Sequence, residues 1–252
     1  MRRHLSFRSG NPALNKNSFK VFNRNGVTGP ISKNDSMTIK GTVDKTAISL
    51  VLLIIAAYYT FSAGMESMIM IGSVGGLILA IVTIFKKEWA PYTVPFYAIL
   101  EGLALGSLSY IYNVQYDGIV LQAISITVLV LFSLLFAYRS KIIKPTENFK
   151  LGLFAATGGI FLLYLISFVM SFFGSGISLL SSNNSSMLSI GLSLGIVIIA
   201  ALNLVIDFDF IEEGSEKGAP KYMEWYGAFG LLVTLIWLYL ELLRLLAKMK
   251  NR

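Results

Sequence analysis

The stretch IWLYLELLRL, from Ile236 to Leu245, decides the fold: it is apolar enough to lie in a membrane, yet it contains Glu241, and Arg244 follows one turn later. A charge at the centre of a bilayer costs about 2.5–3.5 kcal/mol on insertion scales, so such residues face a protein interior, a water-filled cavity or a partner. The chain of 252 residues is 55% hydrophobic, which is more than is usual for a soluble domain. Its mean hydropathy is +0.68. We therefore expect an integral membrane protein.

Seven apolar runs are each long enough for a helix that crosses a membrane. They cover residues 47–64, 68–85, 94–112, 119–138, 151–173, 187–206 and 226–246. Helices are expected because an isolated strand leaves its backbone unsatisfied in lipid. The predicted fold class is an all-α integral membrane protein with seven transmembrane helices in one domain, residues 46–252. Residues 1–45 are polar, basic and aperiodic, and we expect them to form a disordered cytoplasmic tail.

Glycines spaced by four residues suggest places where helices approach one another closely. They lie at positions 72 and 76, 102 and 106, and 191 and 195, with a further adjacent pair at 158 and 159.

The basic residues predict the orientation of the chain. Lys and Arg are concentrated in the tail, after helix 2, between helices 4 and 5 and between helices 6 and 7, whereas the other three loops carry none. By the positive-inside rule, the N-terminus is cytoplasmic. The C-terminal basic residues, among them Arg244 and Lys248, oppose this pattern. Either the last helix crosses despite its charges or it enters without crossing fully, and the length of 226–246 favours crossing.

Several function classes are disfavoured by composition. The chain has no cysteine, so thiolate chemistry has no residue to use. Its single histidine, His4, lies in the polar tail, so histidine-based catalysis has almost none. We expect no enzymatic activity and no cofactor. The net charge of +7 comes from basic residues whose positions fit the predicted cytoplasmic segments. We therefore expect no nucleic-acid partner. No short apolar segment near the start indicates a cleavable signal peptide.

A small set of charged residues lies within or at the ends of the predicted spans. They are Glu101, Asp207, Asp209, Glu224, Glu241 and Arg244. Helix 6 is expected to end at Asp207 and Asp209, and Glu101 lies about 10 Å inside helix 3. Acids at comparable depth could repel one another, share protons or attract a cation. Lys86 and Lys87, which end helix 2 on the same side, are candidate counter-charges.

Helical spacing places polar residues on common faces. On helix 6, Ser193, Asn203 and Asp207 share a stripe, and on helix 7 Thr234 and Glu241 do so. We interpret these faces as lining a central path.

Structural roles are the alternative for several of these residues. Asp207, Asp209 and Glu224 could be solvated charges at loop boundaries. Glu241 could simply pair with Arg244 one turn later. Glu101 is the hardest to explain this way, because neither end of its helix is near.

Three segments carry a family resemblance: MTIKGTVDKTA (37–47), YAILEGLALGSLSYIY (97–112) and IDFDFIEEGSEKGAPKYMEWYGAFGLLVTLIWLYLELLRLLAKM (206–249). Together they resemble the Bax inhibitor-1-like family, the transmembrane Bax inhibitor motif superfamily, in its bacterial branch. The resemblance implies a seven-helix fold with helix 7 central, a pH-sensitive calcium leak and a multi-pass protein of the bacterial plasma membrane. Family members are also described as regulators of cell death or of membrane-protein quality control.

The resemblance also implies residue roles. An acid at the end of helix 6, here Asp207, shares a proton with an acid in helix 7, and a basic residue after helix 2, here Lys86 or Lys87, can latch it. Aligning LYLE gives Glu241 as the helix 7 partner, whereas another alignment places Thr234 there. Because residues 226–241 would rise about 22 Å, pairing of Asp207 or Asp209 with Glu224 or Glu101 fits the depth better, and the pairing stays open.

We therefore expect a pH-sensitive cation leak channel with calcium as the permeant ion, gated by protonation of an intramembrane carboxylate cluster, with no defined metal-ligand set. Its expected partners are the lipid bilayer and calcium or protons. The alternative is a non-conducting regulator that binds a membrane protease or another integral membrane protein. A proton-coupled transporter is a third interpretation, because intramembrane acids permit it.

Overall fold

The computed structural model describes residues 36–143, 145–174 and 176–252. Within those ranges the chain forms seven long helices: α1 (Ile39–Ala63), α2 (Met68–Phe85), α3 (Ala90–Gln115), α4 (Ile119–Arg139), α5 (Glu147–Ser171), α6 (Met187–Glu216) and α7 (Met223–Lys250). Two short 3-10 helices lie at Lys87–Trp89 and Ser178–Leu180. All seven long helices are long and apolar enough to cross a membrane, which confirms the predicted fold class.

Helix α6 is longer than predicted. The expectation that it ends at Asp207 and Asp209 is wrong, because the helix continues to Glu216. The extension is stabilised by burial, since Phe208, Phe210 and Ile211 are each less than 10% exposed. Asp207 therefore lies inside a continuous helix, about 13 Å from its end.

Helix α1 begins earlier than predicted, at Ile39 rather than near residue 47. Its polar first turns are held by tertiary contacts that a hydropathy scan does not register. The Thr38 hydroxyl accepts a hydrogen bond from the Gly41 N–H (3.0 Å), which is a standard N-cap. The Met37 N–H donates to the Ala219 carbonyl (2.6 Å), so the start of α1 is tied to the α6–α7 connection. The rest of the predicted tail, residues 1–35, lies outside the described residues.

Helix α7 is the most buried of the seven spans. In its most apolar window 67% of the residues are buried, against 50% in α3 and α6 and 6–22% in α1, α2, α4 and α5. This agrees with the expectation that helix 7 is central. The four least buried helices expose many large apolar side chains, as expected where lipid is the solvent.

The chain divides into two compact units, which are described separately. The described part of the first unit comprises residues 36–111 and 207–233, so it holds α1, α2 and most of α3 with the last third of α6 and the first part of α7. The second unit comprises residues 112–206 and 234–252, with α4, α5 and the remaining parts of α6 and α7.

Close helix packing in the first unit depends on glycine. A Cβ on Gly102 would lie 2.9 Å from the Ala56 Cβ, and one on Gly106 would overlap the backbone of Ala57, so α3 packs directly on α1. A Cβ on Gly72 would lie 2.8 Å from the Ala104 Cβ, so α2 packs equally closely on α3. These positions confirm the prediction of close approach.

The remaining glycines of that prediction behave differently. At Gly158, Gly159, Gly191 and Gly195, no described atom lies within 4 Å of the position that a Cβ would occupy, so the expectation of close packing is wrong there.

The second unit is held in part by polar contacts between helices. The Asn203 amide of α6 donates to the Thr157 hydroxyl of α5 (3.0 Å) and to the Ile199 carbonyl (2.8 Å). Bonds of this kind across helices contribute on the order of 0.6 kcal/mol each in membrane proteins.

Candidate functional site

Two acids of the first unit lie inside long helices. Asp207 on α6 is completely buried, and Glu101 on α3 is half-buried. Contacts of α3 and α6 with α7 show the position of each acid along the α7 axis. On α3, the Tyr97 ring meets the Phe229 ring edge-on with 5.0 Å between centroids. On α6, Ile211 faces Gly227, where a Cβ would lie 3.2 Å from the Ile211 Cγ1.

These contacts place Glu101 and Asp207 at similar levels. Glu101 follows Tyr97 by four residues, so it lies level with about residue 233 of α7. Asp207 precedes Ile211 by four residues on a helix that runs opposite to α7, so it lies level with about residue 231. The two acids are therefore within about 3 Å of one another along the α7 axis.

The Glu101 carboxylate lies against a glycine of the neighbouring helix. A Cβ on Gly76 of α2 would lie only 2.5 Å from the Glu101 Oε1 and 3.0 Å from its Cδ. Among the described residues, Glu101 makes no hydrogen bond or ion pair. Glu101 is thus an acid in a spanning helix whose charge the described residues do not neutralise.

Glu224 has a structural role at the start of α1. Its Oε1 accepts from the Thr38 N–H (3.0 Å) and from the Thr38 hydroxyl (2.8 Å), and Lys221 lies 2.8 Å away. Glu224 is only 1% exposed, so its interpretation as a solvated loop charge is wrong. Along the α7 axis, Glu224 lies about 10 Å from the level of Asp207. This separation favours Glu101 over Glu224 as the partner of Asp207.

Asp209 and the two candidate latch lysines differ in placement. Asp209 is half-buried and, two residues after Asp207, faces the opposite side of α6. Lys86 is exposed, whereas the Lys87 ammonium lies 5.6 Å above the Tyr226 ring. Tyr226 in turn packs against Phe210 of α6, with 6.4 Å between centroids. Of the two lysines, Lys87 is the one directed towards α6 and α7.

Glu241 belongs to a buried network in the second unit. Its carboxylate accepts from the Tyr164 hydroxyl of α5 (2.7 Å), from the Trp237 indole (3.3 Å) and from Arg244, which lies 2.9 Å from both oxygens. The Arg244 guanidinium also donates to the Tyr164 hydroxyl and lies over that ring, 5.1 Å from its centroid. The structure thus shows the Glu241–Arg244 pairing that the sequence permits as the alternative.

The three predicted path-lining residues of the second unit are all buried: Asn203 (1% exposed), Ser193 (2%) and Thr234 (2%). The Asn203 amide is occupied by Thr157, but its carbonyl oxygen has no hydrogen-bond donor among the described residues. The Ser193 hydroxyl accepts from Lys248 (2.8 Å).

Lys248 stands out in the sequence as a basic residue on the unexpected side of the membrane, whereas Thr38 and Tyr164 do not stand out at all. Lys248 carries a usable signal, because it continues the helix 7 stripe at four residues after Arg244 and seven after Glu241. Thr38 and Tyr164 carry no such signal, since their importance comes from contacts far apart in sequence.

The acids within the described residues do not gather around one point. Across the described ranges, no group of three or more His, Cys, Asp or Glu residues is arranged to hold a metal ion. The geometry consists of buried or half-buried acids distributed along helices.

These features define a multi-pass helical membrane protein that carries acidic residues inside its spans. The family model described as Bax inhibitor 1 like matches residues 11–251, and the chain belongs to that family. No curated protein and no solved structure matches the chain.

Proposed function

We propose that this protein is a pH-sensitive leak path for cations, calcium among them, and that protonation of Glu101 and Asp207 controls it. The observation that carries the proposal is Glu101: a carboxylate in a spanning helix that no described residue neutralises, at the level of a buried aspartate. Such residues in membrane proteins typically mark ion or proton pathways. The proposal assigns transport and no catalysed reaction.

The mechanism follows from the charge of the two acids. At low pH the two acids hold at least one proton between them and carry little charge, so they repel one another little and a cation gains little by entering. As pH rises, the last shared proton leaves and two like charges face a low dielectric, which favours either separation or entry of a cation. Cation flux is therefore expected to rise with pH.

The proposed path binds calcium weakly. Calcium prefers six to eight oxygen ligands, and the described residues offer no group of three or more acids around one point. Weak binding suits passage, because an ion must leave as readily as it enters. Asp209 is proposed as a further polar group along the path, and Lys87 as the basic residue that can pair with the acids of α6.

We propose that the N-terminus lies in the cytoplasm, as the distribution of basic residues favours. The proposed membrane is a bacterial plasma membrane, as the resemblance to the bacterial branch of the family implies. The native chain has no cysteine, so a single introduced cysteine reports its own side of the membrane. With seven crossings, Ser140→Cys in the α4–α5 loop should react only from the cytoplasm and Asn251→Cys only from outside. Labelling of both from the same side would contradict this topology.

Calcium flux into vesicles that contain the purified protein tests the proposal. Flux should rise with pH in the native protein, and Glu101→Gln or Asp207→Asn should remove that dependence. Glu66→Gln, in the exposed α1–α2 loop, is the matched control and should behave like the native protein. Unchanged flux and pH dependence in both Glu101→Gln and Asp207→Asn would refute the gate.

The alternative proposal is a non-conducting regulator of a membrane protease or another integral protein. It is supported by the long basic segment that precedes α1 in the sequence. Deletion of residues 1–35 distinguishes the two. Flux should survive this deletion in a leak channel, whereas partner binding should be lost in a regulator.

A further inference from the structure

Lys248 is a fully buried lysine whose ammonium is held by oxygen atoms alone. Its side chain is 0% exposed. The Nζ donates to the Leu179 carbonyl (2.7 Å), the Ser193 hydroxyl (2.8 Å) and the Ser189 carbonyl (3.3 Å). An ammonium has three donors, so these three oxygens satisfy it completely.

No described carboxylate forms an ion pair with Lys248. The nearby acid on the same helix, Glu241, is bonded to Arg244 at 2.9 Å. Burial of a lysine that only filled space would be unfavourable, because an apolar side chain of similar volume avoids the desolvation of the charge. The charge of Lys248 is instead balanced by oxygen dipoles, as that of a bound monovalent ion is.

The Leu179 and Ser189 oxygens are positioned by contacts that do not involve Lys248. The Ser189 hydroxyl donates to the Leu179 carbonyl (2.8 Å), which fixes the 3-10 helix Ser178–Leu180 against the start of α6. The Ser189 and Ser193 oxygens lie on successive turns of α6. The cage therefore belongs to the α5–α6 connection and α6, and Lys248 enters it from α7.

We propose that the Lys248 ammonium is a tethered cation that fills a monovalent-cation site formed by Leu179, Ser189 and Ser193. A small organic ammonium takes that site when the side chain is shortened. In the native protein the tethered charge keeps free cations out of this end of the second unit. This last statement, unlike the existence of the site, rests on the proposed leak function.

Chemical complementation of Lys248→Ala tests the site. The substitution removes three methylene groups and the ammonium, which n-propylammonium replaces. The thermal unfolding temperature of the purified variant should rise by about 3 °C at roughly 100 mM propylammonium if the dissociation constant is about 10 mM. The neutral analogue n-propanol should not produce this rise. Lys250→Ala is the matched control, because Lys250 is exposed and, among the described residues, donates only to the Asp117 carbonyl (2.6 Å).

Lys248→Met provides a second variant in case the cavity in Lys248→Ala prevents folding. Methionine retains the apolar stem and ends one atom short of the Nζ position, so ammonium itself should stabilise this variant relative to an equal concentration of choline. Equal responses of the native protein, Lys250→Ala and the Lys248 variants would refute the site. Absence of any ammonium-specific response in the Lys248 variants would also refute it.

Vesicle flux tests the exclusion of free cations separately. Cation leak should increase at least several-fold in Lys248→Met, while Lys250→Ala should match the native protein. Stabilisation by ammonium without increased leak would leave the site intact and refute its role in exclusion. Failure of the proposed leak function gives a different result: Glu101→Gln, made with Lys248 intact, would leave calcium flux unchanged.

Discussion

Glu241 distinguishes acids that hold the fold from acids that respond to pH. Its carboxylate accepts bonds from Tyr164, Trp237 and Arg244. Glu241→Gln keeps the shape of the side chain but removes its charge. It also replaces one acceptor oxygen with an NH2 group, which is itself a donor and cannot accept from Tyr164, Trp237 or Arg244. We expect this variant to be less stable than the native protein while its calcium flux keeps the native pH dependence.

The size of the effect follows from burial. Breaking a buried pair typically costs about 3–5 kcal/mol. Glu241 is 2% exposed but Arg244 is 26% exposed, so water can reach part of the guanidinium. We therefore expect the lower end of that range, about 3 kcal/mol. For a chain of this size that lowers the unfolding temperature by about 6–12 °C.

Thermal unfolding of the purified protein in detergent measures this shift. The control is Glu213→Gln, which breaks the ion pair of Glu213 with Lys217, whose side chains are 34% and 56% exposed. An exposed pair contributes about 0–1 kcal/mol, so the control should change little. Equal shifts in the two variants would refute the reasoning, as would a folded Glu241→Gln protein whose flux no longer responds to pH.

Three further outcomes are expected. Gly106→Ala should lower the free energy of unfolding by about 1–3 kcal/mol in thermal melts, because the new Cβ overlaps the α1 backbone. Its control is Gly191→Ala, where no described atom lies within 4 Å of the new Cβ, and this variant should be neutral or slightly stabilising. Glu224→Ala should cost about 1–3 kcal/mol in thermal unfolding, since it leaves the start of α1 without its acceptor. Gly76→Ala should displace the Glu101 carboxylate and change calcium flux more than stability, whereas unchanged flux would argue against a role for that contact.

The seven spans are predictable because hydropathy and length are local properties of the sequence. The ends of the spans are less so. After Ile206 the chain becomes acidic, which suggests a loop, yet α6 continues because Phe208, Phe210 and Ile211 are buried. Likewise α1 starts at Ile39 because Glu224 accepts the hydrogen bonds of Thr38, the N-cap residue, which lies 186 residues earlier in the sequence. Contacts at such separation leave no periodic signal.

The candidate site is predictable as a set of residues but not as a geometry. The unusual position of Glu101 within an apolar span is evident from the sequence alone. The roles of Glu224 and Glu241 are not, because an acid at a helix start and an acid beside an arginine have the same sequence appearance whether they are structural or functional. Lys248 is easily overlooked because a basic residue at the end of a span normally reaches solvent.

The central claim is that Glu101 and Asp207 titrate as one unit, and the pH dependence of calcium flux in a double-mutant cycle tests it most directly. If the two acids share a proton, Glu101→Gln, Asp207→Asn and the double variant should lose the pH response to the same extent, because either single change abolishes the shared titration. Additive losses, with each single variant retaining part of the response, would contradict the claim.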